Sequence, residues 1–323
     1  MYMDETNKKL ETKRIIIYLG ITFLLTFGYC FGILYPLVNS DNASQKVGNF
    51  ASLLIAVVMF FPATGVLLTR LITKEGFKNS WLKLNLKGNV KTYLLAYFGP
   101  GVLTVVGMVV YFLIFPGELD LEFGYLKSAL EAAGASADAY PMPMLVVFIV
   151  QAGTALFWGP IMNCITCFGE EWGWRGYLLP KMAEKLSPIP MLLINGVIWG
   201  LWHAPLTAIG HNYGIGYPGF PFTGIAMMCF FCIVMGIFLS YVTMKTKSCI
   251  PAVLGHGAIN SIAGLGLYCT VDGGNPFVGP TPTGIVGIIP FIVAAVLMLV
   301  FYFGKTKKEE SNSSEEKVIE SVQ

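Results

Sequence analysis

Long apolar runs divided by short polar connections set the pattern of this chain. Hydrophobic stretches cover residues 15–38, about 49–72, 92–115, 143–168, 190–209, 223–244, 250–269 and 284–303. Each approaches the roughly 20 residues that an α-helix needs to cross a bilayer. The pattern predicts an all-α polytopic membrane protein with eight transmembrane helices. The first run is too long for a signal-peptide core and no small-residue cleavage site follows it, so it reads as a retained helix. No internal repeat is visible.

The connections alternate in charge. The amino terminus carries Lys8, Lys9, Lys13 and Arg14, and residues 73–91 carry Lys74, Lys78, Lys83, Lys87 and Lys91 just after Arg70. Arg175, Lys181 and Lys185 follow the fourth run, Lys245 and Lys247 the sixth, and Lys305, Lys307 and Lys308 the eighth. Between them lie residues 39–48 with one Asp and one Lys, an acidic 116–142 (Glu118, Asp120, Glu122, Glu131 and Asp138 against Lys127), a 210–222 stretch without Lys or Arg, and a 270–283 stretch whose sole charge is Asp272. An excess of Lys and Arg marks cytoplasmic connections, so the expected arrangement has both termini in the cytoplasm. The Ser- and Glu-rich tail, 305–323, has the composition of a disordered cytoplasmic segment. Residues 176–187 mix Tyr177, Leu178, Leu179, Met182 and Leu186 with Lys181, Glu184 and Lys185, which fits either a short amphipathic helix on the cytoplasmic interface or a plain connector.

Composition sharpens this picture. Of 323 residues 55% are hydrophobic and 12% charged, which excludes an ordinary soluble domain. The net charge of +2 is uninformative; membrane lipid is the expected surrounding and nucleic acid is not an expected partner. The seven cysteines lie mostly inside apolar runs and read as packing residues. Cys164-x-x-Cys167 and Cys229-x-x-Cys232 have zinc-like spacing without a polar surround.

Where charge is scarce, ionisable groups at membrane depth point to function. Glu170 and Glu171 are adjacent at the end of the fourth run, and Arg175 follows Glu171 by one helical turn, on the same face. Trp199 and His203 are four apart in the fifth run; His256 and Asn260 are four apart in the seventh. These groups are nearly the whole polar inventory of the predicted membrane core, and in hydrocarbon they should face one another or a water-filled cavity. A glutamate can take a proton from water, a histidine can orient that water or bind a metal, and a histidine with an asparagine can steady an oxyanion. Plainer roles exist for each: an interfacial Glu–Arg pair, a satisfied core histidine at 203, interhelical hydrogen bonds from His256 and Asn260. His211, beside Tyr213 and Tyr217, reads as a polar residue of an outer loop. Residues 210–221, rich in Gly and Pro, read as turns.

Glu170-Glu171-x-x-x-Arg175, then an aromatic-x-x-x-His at 199–203, then His256-x-x-x-Asn260, in that order on separate apolar segments, resemble the three motifs of the CPBP (ABI) family of CAAX prenyl and bacteriocin-processing or immunity proteases. The resemblance covers residues 143–269, a CPBP-like protease core. Before it lies a region of three transmembrane helices and the acidic outer loop (1–142); after it come the last transmembrane helix (270–304) and the tail. One departure stands out: Trp199 occupies a position where the family usually has Phe. The resemblance implies an intramembrane endopeptidase of eight helices. Its cavity lies among helices four to seven, open to the cytoplasmic side, and acts on a membrane-associated or lipid-modified peptide. It implies Glu170 as the water-activating base, His203 as its partner, His256 and Asn260 at the oxyanion, and Glu171 and Arg175 as braces, with Trp199 lining the pocket. Zinc held by Glu170, His203 and His256 and a metal-free glutamate mechanism are both open; the chain has no His-Glu-x-x-His. A transporter with a buried Glu/His pathway should show paired repeats; a non-catalytic immunity or scaffold protein would tolerate loss of the glutamates.

One expectation is geometrical. At 1.5 Å per residue, His256 lies roughly 10 Å and His203 about 20 Å inside the cytoplasmic boundary, whereas Glu170 falls at the boundary if the fourth helix begins at Pro143. For the three to meet, that helix must begin deeper, tilt or kink, and Pro160 is the candidate.

Overall fold

A computed structural model describes residues 5–39, 53–135 and 142–304. The connection 40–52, Asp138 and the tail 305–323 with its lysines lie outside the described residues. Within them the chain is helical without a strand; one isolated bridge joins Leu119 to Thr270. Helix α1 (Glu5–Tyr29) continues through a wide turn into Tyr35–Val38. The rest follow as α2 (Phe61–Ile72), α3 (Val90–Ile114), α4 (Gly124–Ala132), α5 (Met144–Phe157), α6 (Gly159–Met162), α7 (Cys164–Gly173), α8 (Leu179–Ala183), α9 (Pro188–Trp202), α10 (Ala204–Thr207), α11 (Phe222–Thr246), α12 (Ile250–Ile262) and α13 (Ile289–Met298).

Among the described residues, five helical stretches are long and apolar enough to cross a membrane: Lys8–Val38, Leu53–Ile72, Val90–Ile114, Phe222–Thr246 and Ile250–Cys269. The fourth, fifth and eighth expected spans contain shorter apolar helices, Met144–Phe157, Pro188–Trp202 and Ile289–Phe303. Prolines account for the interruptions. Pro160 has no N–H to offer the carbonyl four residues back, and the chain turns at Trp158 and again at Asn163, whose side chain donates to the Gly159 carbonyl at 2.9 Å. Pro205 interrupts the helix just after His203, which therefore sits at a break and not within a continuous rod. Pro180 follows the wide π-helical turn Trp174–Leu178, where the i→i−4 ladder is already relaxed.

The fourth segment departs most from expectation. Residues 164–183 run on as one path through α7, the π-turn and α8, antiparallel to α12: Glu171 meets His256 and Gly176 packs on Cys249. Tyr177, Leu178, Leu179 and Met182 are buried, so the stretch is neither an interfacial amphipathic helix nor a plain connector. Gly169 abuts Met59 and Phe60, and Gly173 abuts Pro62 and Tyr18; a Cβ on Gly169 would lie 2.5 Å from the Met59 carbonyl oxygen. Glu170 is thereby level with residues 59–62 of the Leu53–Ile72 stretch, roughly 15–20 Å from its lysine-rich end at 1.5 Å per residue. Measured along that stretch it lies well away from the lysine-rich end, and the break at Pro160 gives the motif helix a start of its own.

Past Arg175 this path ends among charges. Lys181 pairs with Glu11 and, at 2.7 Å, with Glu75; Tyr177 donates to Glu75 at 2.9 Å; Arg70 lies 3.7 Å from Glu75, and Arg14 pairs with Glu11. These contacts tie α1, the end of α2 and the motif helix together.

Candidate active site

Three helix segments bring the motif residues to one cavity of about 130 Å³. Glu170 from α7, Trp199 and His203 from α9 and its end, and His256 and Asn260 from α12 all line it. The α9–α11 contact beneath it is close because a Cβ on Gly196 or Gly200 would strike the backbone of Ile233 or Cys229.

Glu171, Arg175 and His256 form a buried unit. The Arg175 guanidinium donates to Glu171 Oε1 at 3.0 Å, and His256 Nδ1 lies 2.8 Å from the same oxygen. A carboxylate only accepts, so Nδ1 carries the proton and Nε2 is the free edge of the ring. His203 Nδ1 lies 2.8 Å from the Trp199 carbonyl oxygen, which again fixes the proton on Nδ1 and leaves Nε2 as an acceptor. Trp202 stacks edge-on to the His203 ring at 4.7 Å and donates to Thr26 Oγ1 at 2.6 Å, anchoring this end of α9 to α1.

Trp199 does more than line a pocket. Its Nε1–H donates to Glu170 Oε2 at 2.8 Å, and the Arg175 guanidinium lies 4.1 Å over its ring. Its edge also meets His256 at 5.4 Å between ring centroids. A phenylalanine could offer the ring face but not the N–H. The Trp-for-Phe departure was the signal in the sequence, and its chemical consequence needed the geometry.

Glu170 makes no direct hydrogen bond to either histidine among the described residues, though all three line the cavity. Asn260 is exposed, and its amide makes a 3.6 Å contact with Cys167 Sγ. His211, read from the sequence as a plain loop residue, lines the same cavity, as do Asn212 and Thr283. Burial holds the His211 imidazole below its ordinary pKa. The described residues contain no group of three His, Cys, Asp or Glu side chains placed to hold a metal ion together, so neither Glu170 with the two histidines nor the cysteine pairs make a preformed zinc site. Part of the cavity wall comes from connections without Lys or Arg, through His211, Asn212 and Thr283.

Residues 152–262 match the family model described as Rce1-like, type II CAAX prenyl endopeptidase. This match supports a likeness to the CAAX-protease-like proteins of the CPBP family. A CAAX prenyl protease 2 from Methanococcus maripaludis is 26% identical over 247 residues, covering 74% of this chain and 81% of that protein. The matched segment contains every residue of the cavity that comes from a motif. The family supports a membrane-embedded protease.

Proposed function

We propose that this protein is an intramembrane endopeptidase that hydrolyses a peptide bond in a membrane-associated or lipid-modified peptide, with water activated by Glu170. The observation that carries the proposal is the convergence of Glu170, His203, His256 and Asn260 on one small cavity from three separate segments. The resemblance to prenyl endopeptidases makes a prenylated peptide one candidate substrate. The eight-span arrangement with both termini in the cytoplasm belongs to the same proposal.

Each group has a role that its partners allow. Trp199 holds Glu170 Oε2, leaving the other oxygen to take a proton from water. His203, with Nε2 as acceptor, orients that water. Attack on the scissile carbonyl builds an oxyanion, for which the Asn260 amide and His256 Nε2 are the donors. Donation from Nε2 requires His256 to be an imidazolium, because Nδ1–H is already committed to Glu171; the Glu171 carboxylate offsets that charge. Arg175 in turn pairs with Glu171 and holds it in place. Glu170 then passes its proton to the leaving amine, and the two peptide fragments separate.

The test is cleavage of a fluorogenic lipopeptide panel by the purified full chain in detergent, beside Glu170→Ala. Turnover lost in Glu170→Ala is the expected result. Turnover that survives the substitution would remove Glu170 as the base.

A further inference from the structure

We propose, building on the endopeptidase assignment, that His211 is a substrate-binding residue whose ring hydrogen-bonds a main-chain peptide group of the substrate. The chain has three histidines, and all three line the cavity. Two of the rings are committed within the protein. His203 Nδ1 is held by the Trp199 carbonyl and His256 Nδ1 by Glu171, each at 2.8 Å, and both rings meet Trp199 edge-on. The His211 ring makes no hydrogen bond, ion pair or aromatic contact among the described residues, so both of its nitrogens are left for a ligand.

The turn that carries this ring is fastened on several sides. The His211 N–H donates to the Leu206 carbonyl at 3.0 Å and the Gly214 N–H to the Gly210 carbonyl at 2.9 Å. Left-handed backbone at Gly210 (φ +97°) and Asn212 (φ +68°) makes the turn, a conformation that glycine and asparagine adopt at least cost. The Asn212 amide lies 3.9 Å from Met228 Sδ of α11. Buried Tyr213 donates to the Thr283 carbonyl at 3.2 Å and stacks on Phe277 at 4.9 Å. A ring on so fastened a turn is in place before the substrate arrives, as a positioning contact requires.

The surroundings select the ligand. The same cavity is walled by Met59, Leu206, Met228, Phe231 and Ile259. A peptide drawn past apolar side chains loses water from its N–H and C=O groups, and each needs a new partner. Burial holds the His211 imidazole below its ordinary pKa, so at pH 7 it is neutral and carries one donor and one acceptor. That pair suits a peptide group, whereas a terminal carboxylate would call for a cation. In the proposed mechanism Glu170, His203, His256 and Asn260 serve the water and the oxyanion, which leaves His211 to hold the peptide chain.

Steady-state cleavage by the full chain in detergent, on a fluorogenic peptide that the parental protein cleaves, tests this. His211→Ala should raise KM about threefold to tenfold, the size of one neutral hydrogen bond, with kcat within about twofold and the thermal transition unmoved. His211→Gln keeps a donor and an acceptor and should restore most of the parental KM. A parental KM in His211→Ala would overturn the proposal, as would a fall in kcat alone. A rise in KM seen with a free C-terminal carboxylate but absent with the corresponding C-terminal amide would assign the ring to the carboxylate and overturn it equally. In a second arm, diethyl pyrocarbonate modifies the histidines of Glu170→Ala, which leaves the peptide intact, and mass spectrometry reads the three sites separately. Saturating peptide should slow modification of His211 by about threefold or more; an unslowed rate would sink the proposal. A parental chain that cleaves no peptide of the panel fails the endopeptidase assignment, whereas cleavage with a parental KM in His211→Ala fails this proposal alone.

Discussion

Trp199→Phe isolates one bond in the site. The substitution keeps an aromatic face beneath the Arg175 guanidinium, 4.1 Å away, and removes the Nε1–H that reaches Glu170 Oε2 at 2.8 Å. Glu170 is 2% exposed, so solvent cannot readily replace the donor. A hydrogen bond to a charged group contributes about 1.5–3 kcal/mol. If that stabilisation serves to hold Glu170 in its reactive pose, its loss converts to a fall in kcat of roughly 10–150-fold at 1.36 kcal/mol per decade. Phe keeps an aromatic face on the cavity wall that Trp199 helps to line, so KM should change less than threefold. The assay is steady-state cleavage of the best fluorogenic lipopeptide in detergent, with thermal unfolding of both proteins recorded beside it. Trp199→Tyr is the control for ring size, since it supplies a hydroxyl further out but no N–H at the indole position, and it should fall with Trp199→Phe. A Trp199→Phe protein with parental kcat would refute Trp199 as a positioning residue for Glu170. A fall in kcat matched by collapse of the thermal transition would assign the effect to packing instead.

Three other outcomes follow from the same geometry. Arg175→Met leaves Glu171, fully buried, without its guanidinium; loss of one partner of a buried ion pair costs about 3–5 kcal/mol, so the detergent-solubilised protein should unfold at clearly lower temperature, and an unchanged transition would show that Glu171 does not depend on Arg175. Gly173→Ala sets a methyl 2.5 Å from the Tyr18 hydroxyl and from Pro62 Cβ; overpacking of this kind costs about 1–3 kcal/mol, seen as reduced thermal stability, whereas Gly153→Ala, with nothing within 4 Å, should be neutral. Turnover should survive a zinc chelator, because the described side chains provide no three-ligand set; loss of activity restored by added zinc would show that the ligands move together on binding.

The motif residues were legible in the sequence, and the path that carries them was not. Glu170, Glu171 and Arg175 announce themselves as charges at the end of an apolar run, and the histidines and Asn260 as polar groups within apolar ones. Hydropathy, however, scores residues one at a time. It ended the fourth span at residue 168 because Glu170, Glu171, Arg175 and Lys181 count as polar, yet each of these is buried and each has a partner: Trp199, His256, Glu171 and Glu75 respectively. Pairing cancels the cost that the scale charges to each residue separately. The same scale joined residues 143–168 into one rod, although Pro160 removes the hydrogen bond that would hold it straight.

A signal that would have placed the motif helix correctly was present in its glycines. Gly169 and Gly173 are four apart, as are Gly196 and Gly200, and small residues at that spacing let helices in lipid approach to backbone contact. In the structure the first pair receives α2 and Tyr18, and the second receives α11. The pairs sit on two of the three segments that carry catalytic candidates, so close backbone contact fixes where Glu170 and His203 are held. This ordering explains why charges can be kept so far from the lysine-rich end: the glycine contacts set the helix depth, and the buried pairs then satisfy what that depth strands. Replacing a glycine should therefore disturb the site by moving the helix, whereas replacing Trp199 should disturb it by releasing one oxygen of Glu170. The two effects separate experimentally, because a shifted helix lowers stability and turnover together and a released carboxylate lowers turnover alone.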